Sequence, residues 1–414
     1  MALPRASQTA GLLTCPVELL QQILKNAADI PSLLAMTQSC HALQAAFQNT
    51  QSSILLHVLQ NEITPELMHE SRVVMDSAHL ETKRDKALTL GLITEYFDKR
   101  GRRHSQWTIQ DALAVSRLHD IVHYFATDFA AIALKRKEDS DRASGKSRIT
   151  NAISSAELQR FKRAFYRFEL YRRLFNPSLK AVDTLFNFGD RYELFWARFS
   201  VWEREQVACV LEYLFRSCTP GYNHMVDHNV VWFDLSKQYE FSCTYNNPDI
   251  LGYLRRGLDY VYEIVHAQTP KELDPLINCP LPEENMFLLN GIVYDANSDR
   301  REPLDEYSKE EQLWLVGTPA AFDPDPGPSK AWKWAHLDTS PIFMVQSTDQ
   351  IPLRKWAYVM WDYDRLLAWD VFYHPFNPYC RKYREDAEAE VESKRRALAQ
   401  AHAVRSEIFA KGAG

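Results

Sequence analysis

Two imidazoles at i, i+4, His119 and His123, with Asp128 further along, have a spacing that can hold a divalent metal on one helical face. The glutamate that a zincin places beside its first histidine is missing, since Asp120 follows His119, so the pair reads as two histidines beside a core stripe. Cys218, His224, His228 and Cys243 form a second set that can gather a zinc, with His224 and His228 separated by three residues, but no Cys-x-x-Cys knuckle accompanies them. Gly145-Lys146-Ser147 has the ending of a phosphate-binding loop, yet the first glycine of that motif would fall at Ser140 and no apolar strand precedes it. Glu203 and Glu205, on either side of Arg204, read as helix-surface charge and not as an acid/base pair of carboxylates. No catalytic residue, no metal ligand and no cofactor site is assigned on these patterns.

The most charged apolar segment runs from Leu158 to Phe175. Leu158, Phe161, Phe165 and Phe168 fall on one face of a helix, while Arg160, Lys162, Arg163, Arg167, Arg172 and Arg173 fall on the others. Guanidiniums and aromatic rings together can bind phosphates and stack bases. Here the phenylalanines share a stripe, as a buried face requires, so the expectation is core packing with the arginines in solvent or paired to carboxylates.

The elements that carry these residues are helical. Of 414 residues, 46% are hydrophobic and 25% charged, which excludes a disordered chain, and only 13 are glycine, which disfavours folds built from tight hairpins. A formal net charge of −6 gives no global pull toward nucleic acid or an acidic membrane surface. The seven cysteines are scattered without close pairs, and the one Asn-x-Ser sequence, at Asn176, carries the excluded proline. With no apolar leader in residues 1–13 and no stretch of about 18 apolar residues later, the expected place is inside the cell, in cytoplasm or nucleus.

Residues 13–59 read as two or three short helices, with Thr14 at an N-cap, Pro16 in the first turn and Glu18 near the positive end of the dipole. Val17, Leu20 and Leu24, flanked by Leu19 and Ile23, give a wide apolar face that ends at the turn Asp29-Ile30-Pro31-Ser32. A second stripe runs through Leu33, Met36, Cys40, Leu43 and Phe47. From Glu62 to Leu134 the period stays helical, with Tyr96, Phe97, Trp107, Ile109, Leu113, Leu118, Ile121, Val122 and Phe125 as core positions and residues 99–103 as a loop. The polar run 135–147 has the composition of a flexible surface loop, placed at about 135–155. Further helices are expected over Trp202 to Phe215, Ile250 to Val265 and Trp356 to Phe372, a loop over Thr318 to Ser329, and a solvated charged helix over Tyr383 to Lys411.

The segments Leu13-Thr14-Cys15-Pro16-Val17-Glu18-Leu19-Leu20-Gln21-Gln22-Ile23-Leu24 and Leu33-Leu34-Ala35-Met36-Thr37-Gln38-Ser39-Cys40-His41-Ala42-Leu43 resemble an F-box. That family opens on leucine and proline, places a glutamate two residues on and an isoleucine-leucine pair after it, and ends its second helix near a cysteine. Cys15 stands where a leucine before the proline is usual, and Leu43 where a tryptophan is common. The remaining chain is similar to uncharacterised F-box-like proteins of filamentous fungi through Phe161 to Tyr171, Trp202 to Cys209 and Trp361 to Trp369.

The resemblance implies a non-catalytic adaptor, whose short helices dock on the linker subunit Skp of an SCF-type ubiquitin ligase while the rest holds a protein substrate. The residues it assigns to Skp are Leu13, Pro16, Val17, Leu19, Ile23, Leu24, Leu33 and Leu34. The fold expected is mostly α, an F-box-like unit over 12–59, a large irregular helical domain over 60–382 and a charged tail over 383–414. Two other readings stay open. One is a helical interaction scaffold that buries the same short helices within its own fold, and the other is a metal-dependent hydrolase at His119 and His123.

Overall fold

Where the chain turns is decided by a few local signals, and these set the helices that follow. In the computed structural model, residues 15–81, 85–98, 106–143, 152–175, 185–228, 248–277, 303–316, 323–337, 351–373 and 396 are described, and among them the fold is mostly helical with no strand. The first helices are α1 (Val17–Lys25), α2 (Ile30–Ser39), α3 (His41–Asn49), α4 (Gln51–Glu62), α5 (Pro65–Asp76), α6 (Lys86–Asp98) and α7 (Ile109–Ala143). Then come α8 (Ser155–Phe175), α9 (Phe188–Leu194), α10 (Val201–His228), α11 (Pro248–Arg255), α12 (Leu258–His266) and α13 (Pro270–Ile277). The last are α14 (Lys309–Val316), α15 (Gly327–His336), α16 (Ile351–Lys355) and α17 (Tyr363–Ala368). The chain divides into two compact units, one of Met1–Ala78 with Leu90–Asp120 and the other of His79–Thr89 with Ile121–Gly414.

In the first unit, Pro16 is the N-cap of α1 and not a residue of its first turn, while Thr14 lies outside the described residues. Asp29 does more than end α1. Its Oδ1 accepts from the Ser32 backbone N–H at 2.7 Å, so with Pro31 in the first turn it starts α2. The second apolar stripe is two helices, because Cys40 is fully extended (φ −157°, ψ 154°) between α2 and α3. Leu20, Leu24, Ile30, Leu33, Leu43, Phe47, Ile54, Leu55, Val58 and Leu59 make the core where α1 to α4 meet. Polar ties close the unit. Asn61 donates to the carbonyls of Lys25 (2.7 Å) and Ala27 (3.1 Å), and Glu62 accepts from Ser116 at 2.6 Å. Arg72 pairs with Glu95 at 2.6 Å. Of the core positions read from periodicity here, Phe97 and Ile109 are half-buried and Leu113 is 40% exposed.

In the second unit α10 is central, with α8, α11, α12, α13, α15 and α16 packed on it. Phe129 stacks on Tyr213 (centroids 4.6 Å), Phe125 on Phe165 (5.9 Å), and Phe161 meets Trp361 edge-on (5.5 Å). Four expectations change here. Residues 135–143, read as loop, continue α7, because lysine, arginine, glutamate and alanine are good helix formers and a polar run extends a helix into solvent as well as it makes a loop. Residues 356–372 are not one helix: α17 follows a turn in which Ala357 has φ 53°, and Asp370 beyond it has φ 54°. The helix expected over 250–265 breaks at Gly257, whose φ of +99° no L side chain adopts easily. α15 begins at Gly327, inside the stretch read as loop, and residues 99–103 and all but Arg396 of the charged helix 383–411 lie outside the described residues.

Helix α8 departs furthest from its amphipathic reading. Its charged faces are buried along with its aromatic one: Arg160, Lys162, Arg163, Arg167, Glu169 and Arg172 are all in the interior. Burial lowers the pKa of the Lys162 ammonium. Arg160, Arg167, Arg172 and Arg173 are held by carboxylates. Arg167 donates to Glu203 at 2.9 Å, and Glu169 pairs with both Arg172 and Arg173 while accepting from the Leu258 backbone N–H at 3.1 Å, which caps α12. Glu205, expected on a helix surface, is fully buried against Arg354, also fully buried, at 2.8 Å.

Candidate functional site

Short helices expose some apolar surface at their ends, and α1 exposes more than that. Leu19 is 54% exposed, and Val17 and Ile23 are each 39% exposed. Leu19 and Ile23 lie one turn apart on the same side of the helix, with Pro16, also exposed, a turn before Leu19. One exposed leucine is ordinary on any protein, but Leu19 and Ile23 at i, i+4 on a nine-residue helix form an apolar pair, with Val17 exposed elsewhere on the helix. Leu20 and Leu24, about 100° around the helix from that pair, are held in the core and so fix which face looks outward.

The eight residues assigned to a partner therefore separate. Pro16, Val17, Leu19 and Ile23 are exposed, Leu34 is half-buried, and Leu13 lies outside the described residues. Leu24 and Leu33 are wholly inside, where they join α1 and α2 to their neighbours. The apolar face of α1 is wide enough in sequence to supply a core side and an outer side.

The second unit holds a cleft of about 500 Å³ between the start of α8, residues 323–325 and α17. Its floor is an ion-pair network. The Arg160 guanidinium, 1% exposed, donates Nε and Nη2 to the two oxygens of Asp323 at 2.8 and 2.9 Å, and Nη1 to Asp362 at 2.6 Å. Burial works against that charge, and Asp323 and Asp362 more than restore it, leaving the guanidinium pKa above its ordinary value. Glu157 takes Arg365 in the same bidentate way, at 2.6 and 2.7 Å, and starts α8 through a capping box in which it accepts from the Ser154 N–H at 2.8 Å. Ser154 Oγ reaches across to Asp362 at 2.6 Å. Asp325 accepts from the backbone N–H groups of Gly327 and Tyr363, at 2.7 and 3.0 Å.

The histidine pair on α7 does not form a site of its own. His119 is buried and His123 exposed, so the two rings face different surroundings. Asp128 is engaged by the Tyr213 hydroxyl at 2.7 Å. Of the second set, Cys218 is buried, the side chains of His224 and His228 are not among those described, and Cys243 lies outside the described residues. Among the described residues no group of three or more histidines, cysteines, aspartates and glutamates is gathered as a metal would need. Gly145-Lys146-Ser147 also lies outside them.

Periodicity missed the cleft. The signal that was available is the pair Ser154 and Glu157, a Ser-x-x-Glu start immediately before the aromatic run of α8. Nothing local joins Arg160 to Asp323 or Asp362, which are 163 and 202 positions away. Comparison with known proteins adds no assignment, for no family model, no curated protein and no solved structure matches the chain. Among the described residues no helix is long and apolar enough to cross a membrane.

Proposed function

We propose that the chain is an F-box-type adaptor that joins a protein substrate to an SCF-type ubiquitin ligase through Skp, without catalysing a step itself. The observation that carries this reading is the outward apolar face of α1, with Leu19 54% exposed beside Ile23 at 39%. A helix that keeps such side chains in water lowers its free energy by covering them, and each large aliphatic side chain buried at an interface contributes roughly 1.5–3 kcal/mol of transfer free energy. The resemblance of the first two helices to an F-box names the cover. Cytoplasm and nucleus, where such ligases work, are the compartments that go with it.

The experiment is co-purification of the full chain with Skp, beside a Leu19→Asp, Ile23→Asp double variant. Both positions are exposed, so the variant keeps its helical circular dichroism. Stoichiometric capture of the wild type and none of the variant supports the adaptor. A folded wild-type chain that captures no Skp overturns it.

A second reading, a helical interaction scaffold with an internal F-box-like unit, is favoured by one observation. Leu24 and Leu33, assigned to the partner by the resemblance, have no surface left to give. Under that reading neither chain captures Skp.

A further inference from the structure

The cleft of the second unit has walls and charges of different character. Its walls are apolar, from Ala156, Pro324, Ala368 and the indole of Trp369. Its charged lining is five carboxylates against two guanidiniums: Arg365 is bonded to Glu157, and Arg160 to Asp323 and Asp362, with Asp325 farther from it at 3.7 Å. The two cations cannot balance five carboxylates, and the excess negative charge sits at the mouth, on Asp364, which is exposed in the first turn of α17, and on Asp325, with 31% of its side chain exposed and only the longer contact to Arg160.

We infer that this cleft docks a peptide segment through a basic side chain, whose aliphatic stem lies along the apolar walls while its charged end meets Asp325 and Asp364. The argument is charge complementarity on an apolar groove. Long basic side chains bury their stems on apolar surface and keep their charge at a polar rim, which is the arrangement on offer. The chain itself uses this indole in that way. Lys137 of α7 holds its ammonium 5.5 Å from the ring centroid of Trp369, and the Arg365 guanidinium lies at the same distance. A cleft of about 500 Å³ is also of the size that takes a side chain with its flanking residues. The inference rests on the adaptor reading only in calling the occupant a substrate; the recognition itself needs no ligase.

The test is fluorescence anisotropy of a dye-labelled peptide of alternating alanine and arginine with the full chain, beside the same peptide carrying citrulline, which keeps the shape and loses the charge. Two variants are used. Asp364→Lys reverses a charge at the mouth, and Asp325→Asn removes one while keeping an oxygen for the Gly327 and Tyr363 N–H groups. Saturable binding of the arginine peptide is expected, with none of the citrulline peptide, a loss of about two- to fivefold in each variant and further weakening by salt. No binding by the folded wild type, equal binding of the citrulline peptide, or variants that bind unchanged would overturn it. Skp capture is read on the same preparation. Peptide binding without Skp capture removes the adaptor and keeps the cleft, and Skp capture without peptide binding does the reverse.

Discussion

The Arg160 guanidinium and the Asp362 carboxylate, 202 positions apart in the chain, meet at 2.6 Å. The same guanidinium holds both oxygens of Asp323 and the Met360 carbonyl, so one side chain of α8 ties down two segments that lie on either side of α15 and α16 in the sequence. A buried charge with one partner removed is costly, whereas the complete pair is close to neutral against an apolar replacement. Arg160→Met leaves Asp323 and Asp362 without their cation, and both keep partial contact with water, at 19% and 26% exposure. The expected loss in urea unfolding is about 2–4 kcal/mol. Adding Asp323→Asn to that variant recovers part of it. An unchanged unfolding midpoint for Arg160→Met would show that the network does not hold the cleft together.

Gly327 starts α15 where no side chain fits. A Cβ there would stand 2.4 Å from the Trp361 carbonyl and 2.6 Å from the Tyr363 backbone nitrogen. Both obstacles are backbone and cannot rotate away. Gly327→Ala is therefore expected to lower stability by about 1–3 kcal/mol despite alanine's better helix propensity, through displacement of residues 361–363. Thermal unfolding decides this. A stabilised variant would mean that the two segments do not approach so closely.

What could be read from the chain and what could not divide along the range of the interactions. The apolar periods of α1, α7 and α8 are local, and they led to Leu20, Leu24, Val122, Phe161 and Phe165 inside a helical fold. Caps are local as well, which is why Asp29 and Pro31 could be seen as punctuation, although their role as a start and not a stop depended on Ser32. Burial of charge is not local. Arg160, Arg354 and Glu205 look like surface residues by type, and only partners 149 to 202 positions away make their burial possible. Periodicity placed Leu24 with Leu19 and Ile23 on one wide apolar face of α1, and packing divides that face, sending Leu24 inward and leaving Leu19 and Ile23 in water. Polar composition misled in the other direction at residues 135–143, which extend α7.

Acid lowers the stability of the second unit through two buried groups. Burial pushes the His336 imidazole down to about 3 from the ordinary 6.5, with the Arg354 guanidinium adding to the effect. Its folded value is depressed, so the unfolded chain takes up a proton first, and stability falls as pH drops from 6.5 toward 3. Glu169 is pushed up by burial and pulled down further by Arg172 and Arg173, to about 2, so its contribution is present above its ordinary 4.5 and is lost as pH falls from there to about 2. The two windows separate the groups. Between pH 6.5 and 4.5 the histidine acts, with a slope of roughly 1 kcal/mol per pH unit. Urea unfolding at a series of pH values checks it: His336→Gln should flatten the slope between pH 6.5 and 4.5 and reduce it between 4.5 and 3, where both groups act, and an unaltered slope above 4.5 would assign it elsewhere.

The two sides of α1 make opposite predictions for substitutions five residues apart. Leu24 is completely buried, so Leu24→Ala removes contacts and leaves a cavity, at about 2–5 kcal/mol. Leu19, 54% exposed, has little packing to lose, and Leu19→Ala is expected within about 0.5 kcal/mol of the wild type. A partner reverses the order of importance. If Skp covers the outer face, Leu19→Ala weakens capture by the full chain while its unfolding curve stays in place, and in Leu24→Ala any loss of capture follows the loss of folded protein. Equal destabilisation by both substitutions would place Leu19 in the core and remove the surface on which the adaptor reading stands.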